Sequence, residues 1–521
     1  MLSDTAAING TMPSPRTASP SGATPPHAIV IGSGFGGLAA AIRLRVRGYR
    51  VTVLEKLDAP GGRAYVHHQD GFTFDAGPTI ITAPFLFEEL WALCGRRMAD
   101  DIDLRLMQPF YRVRFDDGSW FDYRGDAASM REEVARFNPA DVAGYDSFMR
   151  EAEFCYKLGF EDMADKAFDT LGDLISAVPS MVRMRAWRSL HAMVASHFSD
   201  PKLRIVMSFH PLLIGGDPFA VTSAYSLIAP LERRYGVHSA MGGTGALVRG
   251  LVSLLEGAGG ELRCNSEVQR IDIDRGRATG VTLRNGQRLA ADLVVSNADS
   301  AWTYRHLVEP EHRRHWTDRK IDSGRYSMGL YVWYFGTRKR YEDVPHHMMV
   351  LGPRYKELLQ DIFRHKKLTD DFSLYLHRPT ATDPSLAPPG CDTFYALVPV
   401  PHLDSGTDWL AHAETYRQAV QRRLEATVLP GLGTEIVSSK VTTPLDFQDR
   451  LLSFKGAGFG LEPLLLQSAW FRPHNRSEDV QGLYLVGAST HPGAGLPGVL
   501  SSAKALMSVL PSTTNLATAP A

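Results

Sequence analysis

The chain has 521 residues, 44% hydrophobic and 22% charged, which is ordinary globular composition and long enough for several folding units. With 56 Lys plus Arg against 57 Asp plus Glu the formal net charge is -1, which gives no support to a nucleic-acid partner. The four cysteines, Cys94, Cys155, Cys264 and Cys391, lie far apart without a CxxC pair, so they indicate neither a disulfide framework nor a cysteine zinc site, and a reducing compartment fits best.

Residues 1–26 are rich in Ser, Thr, Pro and Ala, lack the apolar stretch of a secretory signal, and read as a flexible tail. No uninterrupted apolar run approaches ~18 residues, so no transmembrane segment is expected. From His27 the order AIVI, GSGFGGLAAAIRLRVRG and YRVTVLEK predicts strand, glycine turn, helix and strand, a βαβ unit. Gly32, Gly34 and Gly37 form G-x-G-x-x-G, with Gly36 as an additional glycine. Gly32 permits the tight turn, Gly34 lets the backbone approach a pyrophosphate, and Gly37 allows close helix packing. The helix amino end favours the phosphate charge. Glu55, 23 positions beyond Gly32, ends the second strand, where a carboxylate accepts from ribose hydroxyls and repels a 2'-phosphate. Together these features predict dinucleotide binding. Directly behind Lys56, the segment DAPGGR at 58–63 brings Gly61 and Gly62 close to the same ligand and offers Arg63 for a bidentate phosphate contact.

Further along, YRVRFDDGSWFDY at 111–123 predicts a hairpin turning at Asp117-Gly118. Long helical patterns then dominate 131–235, including REEVARF, AGYDSFMREAEFCYKLGF and MVRMRAWRSLHAMVASHF. Between 236 and 300 β character returns, with a turn at Asn285-Gly286 and LVVSNAD as a buried strand ending at polar residues. Strand-like SMGLYVWYF, FSLYLHR and TFYALVPV and the helix AETYRQAVQRRLEATVL follow within 301–445. In 446–510 a glycine-rich turn, HPGAGLPG, separates the strand GLYLVGAST from the helix VLSSAKALMSVL. The expected organisation is thus α/β: a Rossmann-like nucleotide-binding fold assembled from 27–130, 236–300 and 446–510. Interleaved with it are a substrate-binding mixed sheet in 301–445, its start lying in 27–130, and a helical domain in 131–235 able to face a membrane, with a second tail at 511–521.

The pattern E-K-x-x-x-x-G-G-R behind the glycine fingerprint resembles the flavoprotein group of amine oxidases, protoporphyrinogen oxidases and carotenoid desaturases, which bind FAD. Three further segments, GFTFDAGPTIIT at 71–82, SFHPLLIGGDPF at 208–219 and GLYLVGASTHPGAGLPGVLSSAKA at 482–505, are similar to bacterial phytoene desaturases of the carotenoid/retinoid oxidoreductase family. The resemblance runs from about 27 to 510. It implies FAD contacts for Gly32, Gly34, Gly36, Gly37, Glu55, Lys56, Gly62 and Arg63, and a backbone contact to adenine at Val268. It also implies that Gly487, His491, Pro492, Gly493, Gly495, Pro497 and Gly498 lie near the flavin or its ribityl-phosphate chain. Ser489 departs from the glycine common in the family, a change that fits if φ is negative.

The implied reaction is stepwise dehydrogenation of phytoene to neurosporene or lycopene, with FAD accepting two electrons at each step. The implied partners are phytoene, partially desaturated carotenes, the membrane surface, and oxygen or a quinone as electron acceptor. Neither a metal nor a nucleic acid is implied, and the protein is expected to be peripheral on the cytoplasmic side of a membrane. In LISAVPSMVRMRAWRSLHAMVASHF, Arg183, Arg185 and Arg188 among Val182, Met184, Trp187 and Leu190 suit either an interfacial helix or one buried against the cofactor domain. No Ser/His/Asp triad or H-E-x-x-H stands out. Candidates for an acid–base group are Glu462, Arg472, His474 and Asp217, each of which also reads as a salt-bridge or hydrogen-bonding residue. Competing readings are desaturation of hydroxy- or methoxyneurosporene or of a C30 diapocarotenoid, a redox-neutral polyene isomerase, a pyridine nucleotide dehydrogenase, and a nonenzymatic isoprenoid-protein escort. The full FAD fingerprint argues against the escort.

Overall fold

A computed structural model describes residues 24–511, so the expected tails at 1–26 and 511–521 lie outside the described residues except for 24–26 and 511. The βαβ unit consists of β1 (His27–Ile31), α1 (Phe35–Val46) and β2 (Arg50–Leu54). Every β1 residue is buried, so after His27 the strand reads as the apolar run AIVI rather than an alternation. α1 is buried almost all round because the helices Thr244–Gly257 and Leu496–Val509 pack on it. Its Ala39-Ala40-Ala41 stretch keeps the helix narrow enough to fit between them. Gly34 is the N-cap and offers no side-chain cap, which leaves the first-turn N–H groups of α1 free for a ligand. Arg43 and Arg45 complement the dipole in the last turn, and Gly48, at φ +93°, ends the helical run.

β1 and β2 belong to a parallel five-stranded sheet ordered Leu483–Leu485, Leu293–Ser296, β1, β2, Glu261–Arg263. Its strands come from all three sequence segments 27–130, 236–300 and 446–510. Parallel pairing puts their carboxyl ends at one edge, so the loops beginning at Gly32, Glu55, Asn297 and Val486 meet there.

A second, seven-stranded sheet follows the order Ile436–Thr442, Gly329–Thr337, Asp392–Val400, Leu374–His377, His347–Val350, Tyr111–Arg114, Trp120–Tyr123. The predicted hairpin at 111–123 forms and adds to this sheet, with Gly118 at φ +86° in its turn. Within Gly329–Thr337, Leu330, Val332 and Tyr334 face a large cavity, whereas Tyr331, Trp333 and Phe335 pack into a core beneath the helix Trp409–Thr427. Both faces are covered, and so this strand too runs without polar alternation until Thr337.

The segment 131–235 is helical, but its longest predicted pattern is broken. The helix Leu171–Arg183 stops, Arg185 takes φ +49°, and a new helix begins at Leu190, capped by Ser189. Tertiary bonds impose the break: Ser223 Oγ donates to the Arg185 carbonyl at 3.1 Å, and Ser223 N–H to that of Arg188 at 2.8 Å. Arg188 is drawn into an ion pair with Glu151, and Met184 and Leu190 are buried, so a single interfacial helix through these residues does not form.

Gly144, in the helix Val142–Tyr156, shows how tightly these helices pack, since a Cβ there would stand 1.9 Å from the His197 carbonyl oxygen. Gly144→Ala is expected to destabilise the protein by about 1–3 kcal/mol, whereas Gly257→Ala, in open space at the end of its helix, should be neutral to slightly stabilising. Urea midpoints of the two variants against the parent check this.

Candidate cofactor and substrate site

Where the carboxyl ends of the parallel strands converge, a cavity of about 630 Å³ begins at the glycine turn and continues along the seven-stranded sheet. Asn297, one residue past the strand Leu293–Ser296, lies at the centre of the convergence. A Cβ on Gly36 or on Gly487 would each stand 2.7 Å from Asn297 Oδ1, and one on Gly34 would stand 3.0 Å from Asn297 Nδ2. On Gly37 it would stand 2.1 Å from the Gly32 carbonyl oxygen, the close packing expected of that glycine. The second glycine segment backs the first: Gly61 N–H donates to the Ser33 carbonyl at 3.1 Å, and Gly61 and Gly62 have φ of +120° and +57°.

Of the residues predicted to hold FAD, all but Gly37 and Gly493 border the cavity. Glu55 is buried and already holds the turn. Its Oε2 accepts from Ser33 N–H at 2.9 Å and Ser33 Oγ at 2.6 Å, and its Oε1 accepts from Leu57 N–H at 2.9 Å. A carboxylate has about four acceptor positions, so one remains for a ribose hydroxyl. Beyond it, Ser266, Glu267 and Val268 line the same end. Lys56 borders the cavity while its Nζ donates to the Asp449 carbonyl at 2.6 Å. Arg63 is half-buried; it donates through Nη2 to Ser453 Oγ at 2.9 Å, and its Nε is buried without a partner. Burial lowers its pKa, and the Asp299 carboxylate opposes that effect.

The carboxy-terminal segment brings a second helix amino end to the cavity. Leu496–Val509 starts after Gly495, at φ +92°, with Pro497 in its first turn, and a Cβ on Gly498 would stand 2.5 Å from the Gly493 carbonyl oxygen. His491 borders the cavity with both ring nitrogens buried and unpaired, and desolvation holds it neutral, at about 3. Ser489 keeps a negative φ, and its Oγ donates to Asp299 Oδ2 at 2.9 Å. Asp299 also accepts through Oδ1 from Ala301 and Trp302 N–H, and burial raises its pKa.

Asn297 and Asp299 were not singled out from the sequence, although LVVSNAD shows polar residues at the end of a buried strand, which is where an α/β sheet places ligand contacts. Glu232 gave no such signal. It borders the cavity fully buried, accepting from the Tyr111 hydroxyl at 2.7 Å, with His210 Nε2 at 3.1 Å.

The four candidate acid–base residues do not line the cavity. Arg472 is spent on carbonyls, donating to Leu461, Gln467 and Ala488, which ties the loop before the site to the segment after it. His474 Nε2 lies 2.9 Å from the Trp470 carbonyl oxygen. Asp217 accepts from Phe219 N–H at 2.9 Å in a local turn. Glu462 is paired with Arg325 at 2.9 Å, yet burial dominates and pushes its pKa up to about 7.

For Glu462, the native state therefore holds a proton that the unfolded chain has lost between roughly pH 4.5 and 7, so stability falls as pH rises through that window. Glu462→Gln should remove this fall. Relative to the parent, its urea midpoint is expected to rise between about pH 5 and about pH 8, by the equivalent of on the order of 1–3 kcal/mol.

Comparison with known proteins identifies this architecture. The profile of the flavin containing amine oxidoreductases matches residues 35–505. The chain is 51% identical over 490 residues to a neurosporene-forming phytoene desaturase of Cereibacter sphaeroides, covering 93% of this chain and 94% of the relative. It is 48% identical over 484 residues to a lycopene-forming phytoene desaturase of a Paracoccus species, covering 93% and 97%. Among solved structures, an oxidoreductase from Methanosarcina mazei aligns with a TM-score of 0.61 at 18% identity over 92% of this chain and all of that one. Cyclohexylamine oxidase from Brevibacterium oxydans aligns at 0.59 and 15%, over 95% of this chain and all of that one; these two likenesses concern the fold alone. The chain belongs to the flavin-containing amine oxidoreductase family and, within it, to the bacterial phytoene desaturases.

Proposed function

We propose that this protein is an FAD-dependent desaturase that converts phytoene, in successive two-electron steps, to neurosporene or lycopene at a membrane surface. The observation that carries the reading is the continuity of one cavity, from glycine turns that admit a dinucleotide to walls of Leu330, Val332, Met349, Leu358, Ile362 and Leu397 that suit a hydrocarbon. The residues present fit FAD: α1 and Leu496–Val509 aim uncapped amino ends at the cavity, Arg63 Nε is unpaired, and Gly34, Gly36 and Gly487 leave no room for side chains. In this reading Gly32, Gly34, Gly36, Gly62 and Arg63 hold the pyrophosphate, Glu55 the ribose, Val268 the adenine, and Gly487, His491, Pro497 and Gly498 the ribityl and flavin end.

When bound, FAD supplies the two-electron acceptor. The chain's own part is positional. A substrate without polar groups is oriented by apolar walls that exclude water, and neutral His491 adds no charge beside it. The hydroxyls of Thr79, Tyr375 and Tyr395 form a polar cluster on the sheet side: Thr79 Oγ1 lies 2.9 Å from the Tyr395 hydroxyl and 3.1 Å from that of Tyr375. Electrons leave the protein to oxygen or a quinone.

Access from a bilayer is supported by the helix Leu171–Arg183. Leu171, Ile175, Val178 and Val182 lie along one of its faces and are exposed by 46–63%, and Trp187, beyond the break in the chain, is exposed by 64%. Met181 and Met184 of the same stretch line the cavity. Among the described residues no helix is long and apolar enough to cross a membrane.

With phytoene-loaded anionic liposomes and FAD under air, the purified protein should yield neurosporene or lycopene by chromatography and absorption; unchanged phytoene both in air and with added quinone would refute the proposal. Gly36→Ala should lose most bound FAD, read from the flavin absorbance of the purified protein. Ile175→Ser combined with Val182→Ser should reduce liposome retention at least ~10-fold without changing FAD content, since burying each such side chain is worth about 1.5–3 kcal/mol.

A further inference from the structure

Three histidines gather inside the seven-stranded sheet at a place the flavin reading does not use. His347 opens the strand His347–Val350 and His377 closes Leu374–His377, and the antiparallel register sets them directly opposite each other. His346, just ahead of its strand, turns in beside both, with ring centroids 4.4 Å from His347 and 4.9 Å from His377. One nitrogen from each ring lies within 4.8 Å of the other two. All three are buried, and desolvation keeps each well below the usual imidazole range, at about 3 for His346, so the rings are neutral. Neutral imidazole is the form that ligates a metal.

Two of the three outward nitrogens are held, while the third, His377 Nδ1, is buried without a partner. His346 Nδ1 lies 2.7 Å from Thr382 Oγ1, and His347 Nδ1 lies 2.6 Å from the Tyr375 hydroxyl. Inward, His346 Nε2 and His377 Nε2 are 3.1 Å apart, and His347 Nε2 is buried without a partner. For His346 and His347, one nitrogen fixed by a hydroxyl and the other turned inward is how metal-ligating imidazoles are oriented. A separation of 3.1 Å is close to the roughly 3.3 Å edge of a tetrahedron built on metal–nitrogen bonds of about 2.0–2.1 Å. Without an ion, two of the rings can share a proton, but His347 Nε2 remains a buried unpaired group.

We propose that His346, His347 and His377 form a three-imidazole site for one zinc-class divalent ion that clips the two strands together. An all-nitrogen ligand set disfavours calcium and magnesium, which take oxygen. The neighbouring cation, Arg378, is neutralised by Asp392 at 2.9 Å and Glu342 at 3.2 Å. The clipped strands also carry Met349 and Tyr375, which line the cavity, so the ion would stiffen the wall against which the substrate lies. The site stands independently of the desaturase reading.

The test uses the full-length, untagged protein loaded with FAD, stripped with a chelator and titrated with zinc or with cobalt(II) alone. One equivalent of zinc per chain is expected by elemental analysis, and cobalt should give the visible absorption of a tetrahedral nitrogen-ligated ion. His377→Leu, checked for retained FAD and circular dichroism, should lose both signals, and Thr382→Val, which frees the His346 ring, should weaken zinc binding about 10–100-fold. Absence of zinc binding and of the cobalt spectrum in the parent protein overturns the proposal, whether or not the variants fold. So does wild-type zinc affinity in a folded His377→Leu protein, because the ion would then sit elsewhere.

Discussion

The architecture depends on backbone segments approaching one another at the edge of the parallel sheet more closely than side chains would permit. Gly34 and Gly36 from the first turn and Gly487 from the last strand's loop meet around the single side chain of Asn297, and Gly37 lies against the Gly32 carbonyl. This crossing joins segments separated by more than 400 residues of sequence and leaves the amino ends of two helices open toward the cavity. Close packing of this kind tolerates little added volume, and so the same glycines that shape the ligand cradle also hold the nucleotide-binding unit together.

Around that crossing, buried charge is placed sparingly and is nearly all accounted for. Glu55 is occupied by the turn it closes, Asp299 by Ser489 and two amides, and Arg472 by three carbonyls. Arg472 keeps a buried unpaired Nε away from the cavity, whereas Arg63 and His491 each border the cavity with a buried nitrogen unpaired. A buried polar group without a partner costs free energy that a ligand can return, so these residues mark where binding energy is available. Along the seven-stranded sheet the wall is largely apolar, with Leu330, Val332, Met349 and Leu397, which suits a substrate that offers nothing to hydrogen-bond and must be positioned by shape.

The exposed apolar face of Leu171–Arg183 extends this logic to the surface. Its mean position in the sequence was legible as a mixture of arginines and apolar residues, but its extent was not. Periodicity carried the helical reading across 174–198, whereas hydrogen bonds from Ser223 stop the helix at Arg183 and turn Leu190 inward. The apolar face is built instead from Leu171, Ile175, Val178 and Val182, with Trp187 beyond the break.

From sequence alone came the strand–turn–helix–strand order, the tight turn at Gly32 and close packing at Gly37, the hairpin at Asp117-Gly118 and the return of β structure after 236. These are local, set by φ requirements, helix periodicity and spacing within a few turns of chain. The tertiary structure decided which distant residues share a site. It brought Asn297, Asp299 and Glu232 to the cavity, left Glu462, Arg472, His474 and Asp217 outside it, and set His346 and His347 beside His377. Such neighbours are fixed by strand register and by which loops end at the same sheet edge, and neither leaves a pattern in the spacing of residues along a single chain.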